Sequence, residues 1–287
     1  MSEQHAPRVP PCTAAELDAL AGLCRDRRVV VLSGAGCSTE SGIPDYRGEG
    51  TRARARNPIR FDAYVRDPAA RTRYWARSMI GWPRFRAAQP NPAHRALAAL
   101  EQAGVVTSVI TQNVDRLHQA AGSRRVIELH GALAEVRCLR CARLEARDDL
   151  QERLEQLNPT WCDHEAALAP DGDADLEVSQ GFRTADCRAC AGLLKPNVVF
   201  FGEQVPQPIV DQAYAQVAEA ELLLVLGSSL AVFSGLRFVR RAHASGIPVA
   251  IVNVGPTRAR GLAALEVEAR LGELLPRLAS RLTTGCD

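Results

Sequence analysis

No apolar run in the 287 residues is long enough to cross a bilayer, and the first 28 positions lack the hydrophobic stretch of a secretory signal. Glu3, Glu16 and Asp18 argue against an acid-poor transit peptide, so the expectation is an unexported, cytoplasmic chain. A charge excess is missing too. The formal net charge is only +2, which gives no argument for nucleic acid or a membrane surface as partner. Internal repeats and low-complexity tracts are absent. The dinucleotide fingerprint G-x-G-x-x-G is incomplete, because Thr39 stands at its third glycine position.

What is present is ordinary in amount and unusual in placement. Length and a 46% apolar fraction suit one large α/β domain, or a main domain with a smaller companion. Nine cysteines make an odd count, and without an export signal a disulfide framework is a poor default. Four of them form two pairs, Cys138-x-x-Cys141 and Cys187-x-x-Cys190, spaced for a tetrahedral zinc thiolate site. A redox dithiol and coincidence are the alternatives, but two such pairs in one chain favour zinc. Two pairs already close a four-coordinate site, which leaves Cys162 and His164 outside it. Cys12, Cys24, Cys162 and Cys286 read as inert fillers or surface thiols.

Along the chain, Thr13 and Glu16 make a capping box for a first helix, which feeds the β-branched run Val29–Ser33, a buried parallel strand. Gly34, Ala35 and Gly36 follow directly, a turn with little side chain to keep phosphate off the backbone. Ser38 to Arg47 is then polar and broken by Gly42 and Pro44, as a ligand-contacting loop would be. Arginines crowd 47–86, a pattern that usually marks a solvated helical face. Asn91 and Pro92 start the next helix, and Val105–Thr111 is a strand ending in Gln112, Asn113, Val114 and Asp115. Val126–Leu129 delivers His130 and Gly131. After the cysteine segment the main fold is expected to resume at Asn197–Phe201, with a helix after Pro206. Leu222–Leu226 then ends in Gly227, Ser228 and Ser229, and Val249–Val254 in Asn253, Val254 and Gly255. A closing, largely helical segment covers Leu262–Leu282. Strands that end in small or polar residues and alternate with helices predict an α/β, doubly wound parallel sheet.

Together GAGCSTESGIPDYRG from Gly34, TQNVDRLH from Thr111, His130-Gly131, both CxxC pairs, LGSSL and NVGPTR resemble the sirtuins, in the family's order and spacing. LKPNVVFFGE from Leu194 and YWARSMIGW from Tyr74 are most similar to the class II branch, the mitochondrial type and its bacterial relatives. The resemblance implies a Rossmann-type NAD domain at 13–48, 91–135 and 195–287. It also implies a small domain made of a helical insertion at 49–90 and a zinc module at 136–194. It implies NAD as a consumed co-substrate, one structural Zn2+, and acyl-lysine proteins as partners. The activity implied is removal of acetyl, long or acidic acyl groups from lysine, releasing nicotinamide and O-acyl-ADP-ribose.

On that resemblance His130 is the general base, Asp115 with the Val114 backbone grips the nicotinamide carboxamide, and Asn113 and Gln112 orient the ribose. Gly34, Ala35, Gly36 and Ser38 hold the pyrophosphate, while Asp45, Tyr46 and Arg47 shield the reacting face. Gly227, Ser228, Ser229, Asn253, Val254 and Gly255 line the adenosine half. Gly202 and Glu203, with Leu230 and Val232, hold the substrate as an added strand. Tyr74 and Arg77, three apart on a helix, would meet an acidic acyl terminus; a surface arginine beside a packed aromatic is the alternative. Two rival functions stay open: protein mono-ADP-ribosyltransfer from the same NAD site, and an NAD-responsive binding protein without catalysis. A zinc-ribbon nucleic-acid module has only the arginines behind it.

Overall fold

The protein is described from a computed structural model, which covers residues 9, 11–45, 58–162 and 181–283. Val29–Ser33 (β1) is buried at every position, and its side chains divide by parity. Val29 and Val31 join one apolar cluster, Val30 and Leu32 another on the opposite face. The same alternation runs through Leu222–Leu226 (β7) and Val249–Val252 (β8), so both faces of the sheet are covered. Val106–Thr111 (β2) and Val126–Glu128 (β3) complete one side, and Leu265–Val267 (β9) the other. All six are parallel, in the order β3-β2-β1-β7-β8-β9. Numbered by appearance in this sheet, that is 3-2-1-4-5-6, the dinucleotide-binding order whose switch point lies between β1 and β7.

Ala14–Cys24 (α1), Pro92–Gln102 (α4) and Leu271–Thr283 (α9) pack one face; Gln207–Glu219 (α7) and Phe233–Ala244 (α8) pack the other. The expected caps form. Thr13 and Glu16 cap each other reciprocally, and the Asn91 side chain accepts from Ala93 N–H at 2.9 Å with Pro92 in the first turn. Phe61–Arg66 (α2) and Pro68–Arg86 (α3) carry the arginine-rich region, and Leu117–Ala120 (α5) follows β2. α3 is more than a solvated face, for it buries Tyr74, Trp75, Met79, Trp82 and Phe85.

A second, three-stranded antiparallel sheet stands apart, in the order β5-β4-β6. Gly131–Cys138 (β4), Leu144–Ala146 (β5) and Leu194–Val198 (β6) form it, with Arg147–Leu157 (α6) packed against it. One expectation changes here. The strand expected at Asn197–Phe201 in the main fold is 194–198, and it pairs with β4 from Gly131↔Val198 to Cys138↔Leu194. β4 runs across the 135/136 boundary drawn from the sequence, and β6 across the one at 194/195. The closing segment 262–282 is largely helical, as α9, and Leu265–Val267 pairs with β8 as an edge strand before that helix begins. Arg116, from the loop after β2, ties the two sheets: its Nε lies 2.9 Å from Glu128 and its guanidinium 2.7 Å from Glu135.

Candidate active site

The loop Gly34–Ser38 turns back across the switch point. Gly36 N–H donates to the Gly227 carbonyl at 2.8 Å, and a Cβ at Gly36 would lie 2.8 Å from Gly227 Cα. The N–H groups of Gly34, Cys37 and Ser38 likewise reach backbone carbonyls. The glycines thus serve the close approach of two strand-end loops. That approach leaves a crevice at the carboxyl ends of β1 and β7, where open α/β sheets bind ligands.

Three predicted residues meet in that crevice. Ser38 Oγ donates to Asp115 Oδ2 at 2.6 Å and accepts from Asn113 Nδ2 at 3.0 Å. Asp115 also accepts from Leu117 N–H at 2.9 Å. Burial pushes the Asp115 pKa up, against the pull of those two hydrogen bonds. Behind them Thr111 Oγ1 accepts from Asn113 N–H at 3.1 Å and from Ser33 Oγ at 2.9 Å. A cavity of about 150 Å³ adjoins Val114 and Asp115, walled by Trp82, Phe85 and Asp148 of neighbouring helices.

His130 occupies the seam between the two sheets, just past β3 and just before β4. Its Nδ1 lies 2.9 Å from the Gln112 carbonyl, and its Nε2 lies 2.8 Å from Ser234 Oγ. A carbonyl only accepts, so Nδ1 carries the proton and Nε2 the lone pair of the neutral ring. Burial holds its pKa below the ordinary histidine value; the Gln112 hydrogen bond opposes this and the Arg237 charge adds to it. Gly131 comes next at φ 76°, and a Cβ there would lie 2.0 Å from the Asn197 carbonyl oxygen. Only glycine passes from His130 into the small sheet at this point.

On the far side of the switch point, Ser228 Oγ accepts from Gln112 Nε2 at 2.9 Å, and Asn253 Nδ2 bonds the Val254 and Gly255 carbonyls. Ser229, with its carbonyl 2.9 Å from Arg258 N, borders the same crevice. Asp45 is half-buried near the end of the first loop. Tyr46 and Arg47 lie outside the described residues.

Two strips flank His130. Val199 N–H donates to the His130 carbonyl at 2.9 Å, which brings Phe200–Glu203 alongside, and Ser234 brings Leu230–Phe233 to the other side. Phe201, Val232 and Phe233 expose 43%, 40% and 58% of their surface there, an apolar rim on an otherwise polar cleft. Gly202 is at φ 83°, and Leu230 at φ 53° is buried. Glu203 is fixed by the buried Lys195, whose Nζ lies 3.0 Å from it and 4.6 Å from the Phe200 ring centre. Tyr74 is packed edge-on against Tyr64, Trp75 and Phe200, and Arg77 is half-buried one turn further along α3.

Cys138, Cys141, Cys187 and Cys190 bring their Sγ atoms within 4.8 Å of one another. The pairs Cys138–Cys190 and Cys141–Cys187 are 3.5 and 3.8 Å apart. Thiolates about 2.3 Å from a tetrahedral zinc would be about 3.8 Å apart, so the donor set fits the metal. Each CxxC turn ends in an alanine in the left-handed region, Ala142 at φ 58° and Ala191 at φ 52°, and Gly192 leaves room for two of the sulfurs. Four thiolates leave no open position, so such a metal would be structural. Cys24 and Cys37 are buried, their thiol pKa values pushed up to about 12, which makes them inert fillers.

Sequence reasoning missed Ser234, Lys195 and the buried pair His94 and His118, whose rings lie 4.9 Å apart behind Ser33. Lysine seven residues before the Gly202-Glu203 pair, or serine opening a helix after LGSSL, were the available signals. Neither is distinctive alone.

Comparison with known proteins agrees with this geometry. The Sir2 family matches residues 34–234. An NAD-dependent protein deacetylase of Xanthomonas axonopodis pv. citri is 53% identical over 253 residues, covering 88% of this chain and 86% of the relative. The mitochondrial NAD-dependent protein lipoamidase sirtuin-4 of Bos taurus is 50% identical over 260 residues, covering 89% and 82%. A solved Sir2 structure with p53 peptide and NAD+ superposes at a TM-score of 0.72 with 34% identity, covering 91% of this chain and 96% of that one. With the family's span, the sheet order and the strand-end constellation in agreement, this chain belongs to the Sir2 family.

Proposed function

We infer that this chain is an NAD-dependent protein lysine deacylase, a transferase that moves the acyl group from lysine to ADP-ribose. The observation that carries this reading is the convergence of Asn113, Asp115 and His130 on one sheet edge, beside the extended backbone at Phe200–Glu203. NAD supplies the ribose carbon that the acyl oxygen attacks as nicotinamide leaves. Asp115, with Val114, holds the nicotinamide carboxamide, and Asn113 and Gln112 orient the ribose. Gly34, Ala35, Gly36 and Ser38 hold the pyrophosphate; Gly227, Ser228, Ser229 and Asn253 to Gly255 hold the adenosine half. Asp45, Tyr46 and Arg47 cover the reacting face. His130 Nε2 takes the proton of a ribose hydroxyl, which then attacks the acyl carbon. The substrate chain lies extended between Gly202–Glu203 and Leu230–Val232, bonded mainly through its backbone, so selection falls on the acyl group.

Zinc, held by Cys138, Cys141, Cys187 and Cys190, maintains the small module at 136–194 and does no chemistry. A cytoplasmic location and protein substrates belong to this reading; among the described residues no helix is long and apolar enough to cross a membrane. Tyr74 and Arg77 form the far wall of the acyl channel, since Tyr74 packs on Phe200 of the substrate strip.

The test is incubation with NAD and acetyl-, glutaryl- and lipoyl-lysine peptides, with products weighed by mass spectrometry. Bare lysine with acyl-ADP-ribose and nicotinamide in equal amounts is expected, and R77M should alter the preference among the three peptides. ADP-ribosylated protein without deacylated peptide would establish the transferase alternative instead, and an unchanged preference in R77M would remove the acyl-channel role.

A further inference from the structure

We propose that Ser234 is a positioning residue for the base, holding the His130 lone pair in the tautomer and orientation from which it takes the ribose proton. This rests on reading His130 as the general base. The geometry fixes both ends of the imidazole. Nδ1–H donates to the Gln112 carbonyl at the end of β2, so the Nε2 lone pair must accept, and Ser234 Oγ at 2.8 Å is its donor. A ring held at one nitrogen alone can still swing about its Cβ–Cγ bond; a ring held at two cannot.

The arrangement is built into the start of α8. Ser234 is followed by Gly235, where a Cβ would lie 2.6 Å from Gln112 Oε1 and 2.9 Å from its Cδ. The helix start is therefore seated on the Gln112 side chain, which is itself held by Ser228 Oγ at 2.9 Å. One residue, Gln112, anchors Nδ1 through its backbone and supports through its side chain the helix that anchors Nε2. A side chain at 235 would have to displace the Gln112 carboxamide on which the helix start rests.

Proton bookkeeping is consistent with the role. Nε2 has one lone pair, so the Ser234 hydroxyl must turn off it as the ribose hydroxyl arrives; the ribose O–H bond then breaks, its proton bonds to Nε2, its electron pair stays on the oxygen that attacks the acyl carbon, and Nδ1–H stays on the Gln112 carbonyl. The Ser234 hydroxyl rotates from donor to acceptor and receives the new Nε2–H, so neither form of the ring is left unpaired. Ser234 donates no atom to product, and its effect is confined to the step that uses the base.

The experiment compares the full chain with S234A, S234T, G235A and H130A. Two rates are followed: formation of acyl-ADP-ribose, and exchange of labelled nicotinamide into NAD in the presence of acyl peptide. Exchange reports the step before the base acts. S234A should lower kcat about three- to tenfold, the worth of one hydrogen bond, and leave KM for NAD within about twofold. Exchange should fall much less, S234T should restore most of kcat, and G235A should resemble S234A. Wild-type kcat in S234A, or equal loss of exchange and product, would overturn the proposal, as would failure of S234T to rescue. Product formation at the wild-type rate in H130A would instead remove the reading of His130 on which it stands.

Discussion

The two sheets of this protein are held together by different means. The six-stranded parallel sheet lies between two continuous aliphatic clusters, with Val29 to Leu32 and Leu222 to Leu226 almost wholly enclosed. The three-stranded sheet has one mixed aromatic cluster on its inner side, and Leu139 and Leu144 expose 38% and 46% of their surface. Its two turns carry Ala142 and Ala191 in a conformation that costs about 1 kcal/mol each for a residue with a Cβ. The large sheet can therefore stand on buried surface alone, while the small one relies on the four-thiolate cluster. His130 sits where they join, with its carbonyl bonded to Val199 N–H beside β6 and its ring bonded to the ends of the large sheet. A part built round four thiolates thus adjoins a part built on aliphatic burial, and His130 belongs to both.

The largest expected effect comes from breaking the weaker half. Cys187→Ser should expose the amides of β4, β5 and β6 to hydrogen exchange, because structural zinc contributes on the order of 10 kcal/mol to such modules. Those of β1, β2, β7 and β8 should keep their protection. Equal loss across both sheets would show the division to be wrong. Next, His130→Ala should lower acyl-ADP-ribose formation about 10²- to 10⁴-fold, the usual worth of general base catalysis, with NAD affinity within a few-fold by calorimetry. A comparable fall in NAD affinity would make His130 a binding residue.

Gly36→Ala tests the stronger half. With Gly227 backbone 2.8 Å from the new methyl, a loss of about 1–3 kcal/mol in thermal or denaturant unfolding is expected, along with weaker NAD binding. The smallest effect is on pH. Burial lowers the His130 pKa and the Arg237 charge lowers it further, so the base stays neutral below the ordinary value of about 6.5. The acidic limb of kcat/KM should accordingly lie below that pH, and Arg237→Gln should move it upward. A limb above the ordinary value in the wild-type chain would contradict the burial of this ring.

How much of this was legible follows the same division. Strands buried on both faces announce themselves as unbroken apolar runs, and their polar ends gave Gln112, Asn113, Asp115, His130, Gly227 and Asn253 directly. β9 was lost because three residues with an exposed Glu266 at the sheet edge carry no period. β6 was misplaced because LKPNV contains a proline and the apolar VVFF begins only as the strand ends, so the sequence pointed past it. Which sheet it joins depends on pairing with β4 across more than fifty residues, and no local pattern encodes that. Ser234 was invisible for the same reason: its partner lies 104 residues away, and serine near a helix start is ordinary.

The most direct test is to strip the metal with a chelator and measure NAD binding and product formation on the same sample. If the cofactor crevice belongs to the large sheet and the base is steadied by the small one, NAD affinity should persist within a few-fold while acyl-ADP-ribose formation is lost, returning with zinc. Loss of NAD binding in step with turnover, or turnover that survives stripping, would contradict that account.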